Sequence, residues 1–283
     1  MKGILASLFL VTLLVNPLAA QELTGTLQQV RESGKIRIGY RQAQPPMSFL
    51  GKDGLPAGYS IDVCKHVVAG VTDKLGKDVT VEYVPVTAED RFRALSDNKI
   101  DLLCGSTTKT HSRGEIVDFT LLIYPTGASL MTLRGSAVGN DFSGKKIGVT
   151  KGTTTAAALK ELLEETKAGA DVVLLSSAAE GLKALEKKEI EALAADQVVL
   201  VGLASAAADP ALFTLFRDLF SYEPLALAVR KNDADFRLVA DRVISSLCQT
   251  KELRKIYDTW LGKFSNTRPS AFEALIKLNE IPE

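Results

Sequence analysis

Short β-rich runs alternate with amphipathic stretches along this chain, and the whole alternation occurs twice. Lys35-Ile36-Arg37-Ile38-Gly39 sets apolar residues at every second position, the period of a strand, and a polar loop follows over 40–44. Ile61, Cys64, Val68, Val71 and Leu75 recur at three- or four-residue steps, which predicts a helix over 60–75 stopped by Gly76. A strand over 79–84, a short helix over 90–96 and a strand over 100–104 complete a βαβαβ unit. Its crossovers imply a mostly parallel sheet.

The second series runs through a strand at 145–150, a helix from 154 to about 166, a strand at 171–175, a helix at 178–187 and a strand at 191–195. A strand at 225–230 follows, with two helices marked by Phe236, Val239, Val243, Leu247 and by Leu253, Ile256, Tyr257, Trp260. These are expected to pack back on the first unit, ahead of a short terminal helix around Phe272, Leu275 and Leu278. Two domains suit a chain of 283 residues.

Residues 1–20 combine Lys2, an apolar run over 4–15 and the small-residue end Asn16-Pro17-Leu18-Ala19-Ala20. That pattern predicts a signal peptide cut after Ala20 and a product delivered to the periplasm. The 34 Lys and Arg balance the 34 Asp and Glu, which leaves no basic footprint for nucleic acid. Cys64, Cys104 and Cys248 would enter an oxidising compartment, where one pair can close. A bridge between Cys64 and Cys104 and plain apolar burial of both are alternative readings.

The chain has no Gly-x-Ser-x-Gly elbow, no His-Glu-x-x-His and no phosphate loop, and its cysteine spacing fits no zinc motif. Binding without a metal or cofactor is therefore the expected mode. His66 and Cys64 point to different faces of one helix, His111 lies in a polar segment, and neither histidine is assigned a role.

What remains is a set of polar groups at strand ends: Ser106, Thr108 and Arg113 after one sheet, Thr153, Thr154 and Asp196 after another. In open α/β sheets that edge is where ligands bind. Gly152-Thr153-Thr154 opens a helix whose free amides favour an anion, although N-capping alone would explain the threonines. Arg113 can receive a carboxylate through two parallel bonds and Asp196 offers the opposite charge, so the pair suits a zwitterion. Taken singly, Arg113 reads as a surface ion pair and Asp196 as a helix cap.

Gly58-Tyr59-Ser60-Ile61-Asp62, Asp90-Arg91-Phe92-Arg93-Ala94-Leu95, the stretch from Asp101 to Thr108, Val117-Asp118-Phe119-Thr120 and Val149-Thr150-Lys151-Gly152-Thr153-Thr154 occur in that order. Together they resemble the substrate-binding component of polar amino-acid ABC transporters, particularly its glutamate/aspartate branch, over most of 23–262. The resemblance implies a periplasmic binding protein-like fold of type II, two parallel-sheet α/β lobes joined by a two-strand hinge. Lobe one would span 21–128 and 222–283 with the hinge return and tail, lobe two 129–221, with crossing segments near 125–128 and 221–227. It also implies a monomer that delivers an L-amino acid to an inner-membrane permease and its ATPase.

By the same resemblance, Arg113, Thr108, Thr153 and Thr154 match the groups that hold the α-carboxylate, and Asp196 with Ser106 those that hold the ammonium. Arg41 and Arg91 match the arginines that meet an acidic side chain. Ala88 and Ala178 stand where acidic-amino-acid binders carry a serine and a histidine. The pattern around Arg91 is also similar to broad-specificity binders, in which Arg91 would be structural, held by Glu89 or another carboxylate. Two alternatives use the same scaffold: a dehydratase of the cyclohexadienyl type with Glu223 as cleft acid, and the sensing domain of a larger signalling protein, which the end of the chain disfavours.

Overall fold

The computed structural model describes residues 22–136, 138, 142–264 and 267–282, and the signal segment expected at 1–20 lies outside them. Helix α1 (Gly25–Ser33) leads into strand β1 (Lys35–Tyr40), three short strands, β2 (Ala43–Gln44), β3 (Ser48–Leu50) and β4 (Pro56–Ala57), and helix α2 (Tyr59–Leu75). Strand β5 (Thr80–Pro85), α3 (Arg91–Ser96), β6 (Leu102–Cys104), α4 (His111–Gly114) and β7 (Val117–Thr126) complete this part. The next holds β8 (Ala128–Leu133), β9 (Lys146–Thr150), α5 (Thr154–Glu165), β10 (Asp171–Leu175), α6 (Ala178–Glu186), β11 (Ala192–Asp196), α7 (Gln197–Ala206) and β12 (Phe213–Leu215). Strand β13 (Glu223–Arg230) and helices α8 (Ala234–Gln249), α9 (Glu252–Trp260) and α10 (Ser270–Asn279) follow.

Two five-stranded sheets share one plan, with order β5-β1-β6-β13-β7 in the first and β10-β9-β11-β8-β12 in the second. In each, three parallel strands are flanked by an antiparallel one: β13 opposes β6, and β8 opposes β11. Four of the five strands in each sheet share one direction, so the mostly parallel sheets that the βαβ rhythm predicts are present, with one reversed strand apiece. The reason is the route of the chain. Strand β8 starts with Ala128 beside Asp196, the last residue of β11, so a strand arriving from the other sheet enters at the carboxyl edge and must run backwards. Strand β13 does the same, starting with Glu223 beside Thr126.

The chain passes from the first sheet to the second through Gly127 alone, because β7 runs to Thr126 and β8 begins at Ala128. A Cβ on Gly127 would sit 2.4 Å from the carbonyl oxygen of Ser221, so the outgoing and returning segments touch only because this residue is glycine. The chain returns through Ser221 and Tyr222 into β13, which begins at Glu223.

Helix α2 forms one residue from its expected start, buries Ile61, Cys64, Val68 and Val71, and ends at Gly76 in the left-handed conformation. Helix α8 packs on α2 and β7, and α10 on β7, so the returning helices cover the first sheet as expected. A disulfide joins Cys64 of α2 to Cys104 of β6, 40 residues apart. Loop-closure entropy alone makes such a link worth about 4 kcal/mol. Cys248 is free and buried.

Candidate functional site

The carboxyl edges of the two sheets supply the polar groups. Strand β1 hands on Arg41, β6 is followed by Gly105 to Thr108, β9 runs into the loop that opens α5, and β11 ends in Asp196. These ends close around a small polar cavity of about 20 Å³, room for about one water molecule. Arg41, Arg91, Ser106, Thr108, Arg113, Thr153, Thr154 and Asp196 all line it, with Gln44, Thr150, Thr155, Ala178 and Val199.

Both halves come close around it. The Thr108 and Thr154 hydroxyl oxygens are 3.2 Å apart, Arg91 Nη2 donates to the carbonyl of Gly152 at 3.3 Å, and Lys151 pairs with Glu89 at 2.7 Å. Gly152 has φ +74°, and a Cβ there would lie 3.2 Å from the Ala88 carbonyl oxygen. Only glycine suits both its backbone and its neighbour.

Arg91 is 2% exposed. Its Nη1 donates to the Ala88 carbonyl, its guanidinium lies 4.6 Å from the centre of the Phe92 ring, and its Nε is buried with no hydrogen-bond partner among the described residues. Glu89, one of its expected holders, pairs with Lys151 instead, and among the described residues Arg91 is held by the carbonyls of Ala88 and Gly152 and by no carboxylate. Burial, then repulsion from Arg113 and Arg41, pulls its pKa well below the usual guanidinium range. Arg41 is also buried, and desolvation lowers it to about 10 against the opposing pull of Asp90 and Asp196. Gly105 makes room for it, since a Cβ there would sit 3.0 Å from Arg41 Cγ.

Arg113 is half-buried and forms no ion pair among the described residues, unlike the surface pair that a lone arginine suggests. Its Nη1 donates to the Thr108 carbonyl at 2.9 Å and its guanidinium lies 5.2 Å from the Phe92 ring centre. Thr153 is the N-cap of α5: its hydroxyl donates to the Thr150 carbonyl at 2.7 Å and accepts from the Ala156 amide at 3.2 Å. Asp196 occupies the N-cap position of α7 yet makes no capping bond. Its carboxylate accepts from the Thr155 hydroxyl at 3.3 Å, while Ser106 donates to Gln44 Oε1 at 3.1 Å.

Gln44 and Thr155 are polar cavity residues with side-chain bonds there that sequence reasoning passes over. Thr155 directly follows the Gly-Thr-Thr motif, whereas Gln44 sits in what reads as a polar loop and carries no signal of its own. Glu223, the acid required by a dehydratase, is not among the lining residues, and its two oxygens accept bonds from the hydroxyls of Thr108, Thr154 and Ser221.

Burial raises the Asp196 carboxyl to about 7, with the Glu223 charge acting in the same direction. The unfolded carboxyl titrates near 4. Between those values the folded chain holds a proton that the unfolded chain has lost, so this group's stabilisation is complete at low pH and is withdrawn as pH rises through 7. Asp196→Asn is expected to flatten that fall and to gain a few kcal/mol at pH 8, at about 1.4 kcal/mol per unit. Thermal unfolding of the two proteins from pH 4 to 8 tests this, and parallel curves would refute it.

Bacterial extracellular solute-binding proteins, family 3, match the chain over residues 36–263. The L-glutamate/L-aspartate-binding protein of Pseudomonas aeruginosa is 33% identical over 262 residues, covering 91% of this chain and 87% of that protein. The glutamate/aspartate import solute-binding protein of Salmonella typhimurium is 30% identical over 247 residues, covering 86% and 81%. Among solved structures, the cysteine-binding protein from Campylobacter jejuni superposes with a TM-score of 0.76 at 25% identity, covering 88% of this chain and 98% of that one. The fold is that of type II periplasmic binding proteins. The chain belongs to the bacterial extracellular solute-binding proteins, family 3.

Proposed function

We propose that this protein is a periplasmic receptor that captures an L-amino acid with an acidic side chain, glutamate or aspartate, between its lobes for an ABC importer. The observation that carries the reading is a charge imbalance at the cavity. Among the lining residues three guanidiniums, Arg41, Arg91 and Arg113, face one carboxylate, Asp196, while Glu223 lies behind the wall and Asp90 pulls on Arg41 and Arg91. An acidic amino acid brings a second carboxylate to these arginines, which glutamine does not.

In this reading Arg113 and the first amides of α5 take the α-carboxylate, Asp196 takes the ammonium, and Arg41 with Arg91 Nε takes the distal carboxylate. Ala88 and Ala178 add no polar side-chain contact, so the distal group rests on the two arginines. The names of the Pseudomonas and Salmonella relatives agree with this ligand class. Two lobes closing on opposite ends of one molecule supply the differential affinity that closure requires.

The test is a thermal-shift and calorimetry panel on ligand-stripped protein with the twenty amino acids and small dicarboxylates. Glutamate or aspartate at about a thousand times its Kd is expected to stabilise the fold by about 4 kcal/mol. Tighter binding of a neutral or cationic amino acid would overturn the assignment, and turnover of prephenate or arogenate would replace it with an enzyme.

A further inference from the structure

Glu223 opens β13 and is 1% exposed. Its Oε2 accepts from Thr108 Oγ1 at 2.5 Å and from Thr154 Oγ1 at 2.6 Å, and its Oε1 accepts from Ser221 Oγ at 2.7 Å. Ser221 Oγ in turn accepts the backbone amide of Ala128 at 3.1 Å. Thr108 follows a strand of the first sheet and Thr154 opens a helix beside the second, while Ser221 and Ala128 lie where the chain returns and leaves. One buried carboxylate therefore bonds to both halves of the molecule and braces both crossings.

A threonine hydroxyl has a single proton. With both protons directed at Glu223 Oε2, Thr108 and Thr154 turn only lone pairs toward the cleft. Their own separation of 3.2 Å is then the approach of two oxygens held by a shared anion. Neither hydroxyl has a proton left for an α-carboxylate, which is the role that the resemblance gives them.

We infer that Glu223 is a positioning residue, a latch that fastens the lobes to each other through Thr108 and Thr154, so that part of the closing free energy resides in bonds among protein atoms. The ligand's α-carboxylate is then met by Arg113 and the α5 amides, and the two threonines act through closure. The second statement rests on the receptor reading proposed above; the latch does not.

The experiment measures the distance between the lobes with spin labels at Lys74→Cys on α2 and Lys160→Cys on α5, both exposed, leaving buried Cys248 in place. Without added ligand, the parent protein is expected to show a short-distance population, which Glu223→Gln reduces about tenfold and Thr154→Val reduces similarly. The double variant is expected to lose no more than Glu223→Gln alone, because both substitutions act on the same Thr154–Glu223 bond between the lobes. Thr154 is only half-buried, so its valine variant keeps the test open if Glu223→Gln fails to fold. A parent without the short distance, an unchanged population in Glu223→Gln, or independent losses in the double variant would each overturn the latch.

Affinity provides a second reading. Apparent Kd scales inversely with the competent fraction, so glutamate binding should weaken about tenfold in Glu223→Gln, in step with the loss of the short distance. If glutamate binds neither protein while the distances behave as expected, the latch stands and the ligand assignment fails.

Discussion

Arg113→Ala is expected to weaken glutamate binding by two to three and a half decades, the equivalent of about 3 to 5 kcal/mol for a buried carboxylate that loses its cation. The guanidinium is fixed on two sides, by its bond to the Thr108 carbonyl and by the Phe92 ring. Its remaining donors can therefore meet a carboxylate without first being ordered. Lysine restores the charge but not the planar fork, so Arg113→Lys should recover only part of the loss. Calorimetry on the three proteins decides the matter: near-normal affinity in the alanine variant would remove Arg113 from the site.

Arg91→Met should act on selectivity. Nη1 and Nη2 each give one proton to a carbonyl and keep a second, while Nε is the buried nitrogen without any partner among the described residues, and an anion that reaches it satisfies that atom. Removing it should cost glutamate about 3 kcal/mol, roughly two decades in Kd, while glutamine loses much less. The ratio of the two affinities is the quantity to measure. Equal losses for both ligands would make Arg91 a brace between the lobes through its bond to Gly152, with no part in recognition.

The strands and helices that carry a period were legible in the chain. Helix α2, strands β5, β9 and β10 and helix α6 lie within a residue or two of where the sequence pattern puts them, and the two helices do so because each buries an apolar stripe and exposes the opposite face. Helix α7 escaped for the opposite reason: Val198, Val199, Leu200, Gly202, Leu203 and Ala204 are all buried, so no polar face marks its turns. Gly202 meets the Pro45 carbonyl so closely that a Cβ would sit 2.2 Å away, a contact between distant segments that no local pattern announces. Strand β13 was expected at 225–230, but its reversed direction and strand β8 were not, because direction follows from the route between sheets, which periodicity does not record.

Six of the cavity residues were legible as types at strand ends, Arg41 and Arg91 only through the resemblance, and the structure places all eight around one cavity. Which hydroxyls remain available was not. Thr153 is occupied by its cap and Thr108 and Thr154 by Glu223, and those assignments depend on a carboxylate 69 to 115 residues further along.

The Cys64–Cys104 bridge ties one cavity wall to chemistry that precedes any ligand. Cys104 is the last residue of β6, two positions before Ser106, and its partner lies on a long helix whose own hydroxyl, Ser60, bonds to the Gly105 carbonyl at 3.1 Å. Oxidation therefore anchors the wall that presents Ser106 and Thr108. In the reduced state that anchor is gone, and the placing of Ser106 and Thr108 would rest on packing and on the Ser60 bond.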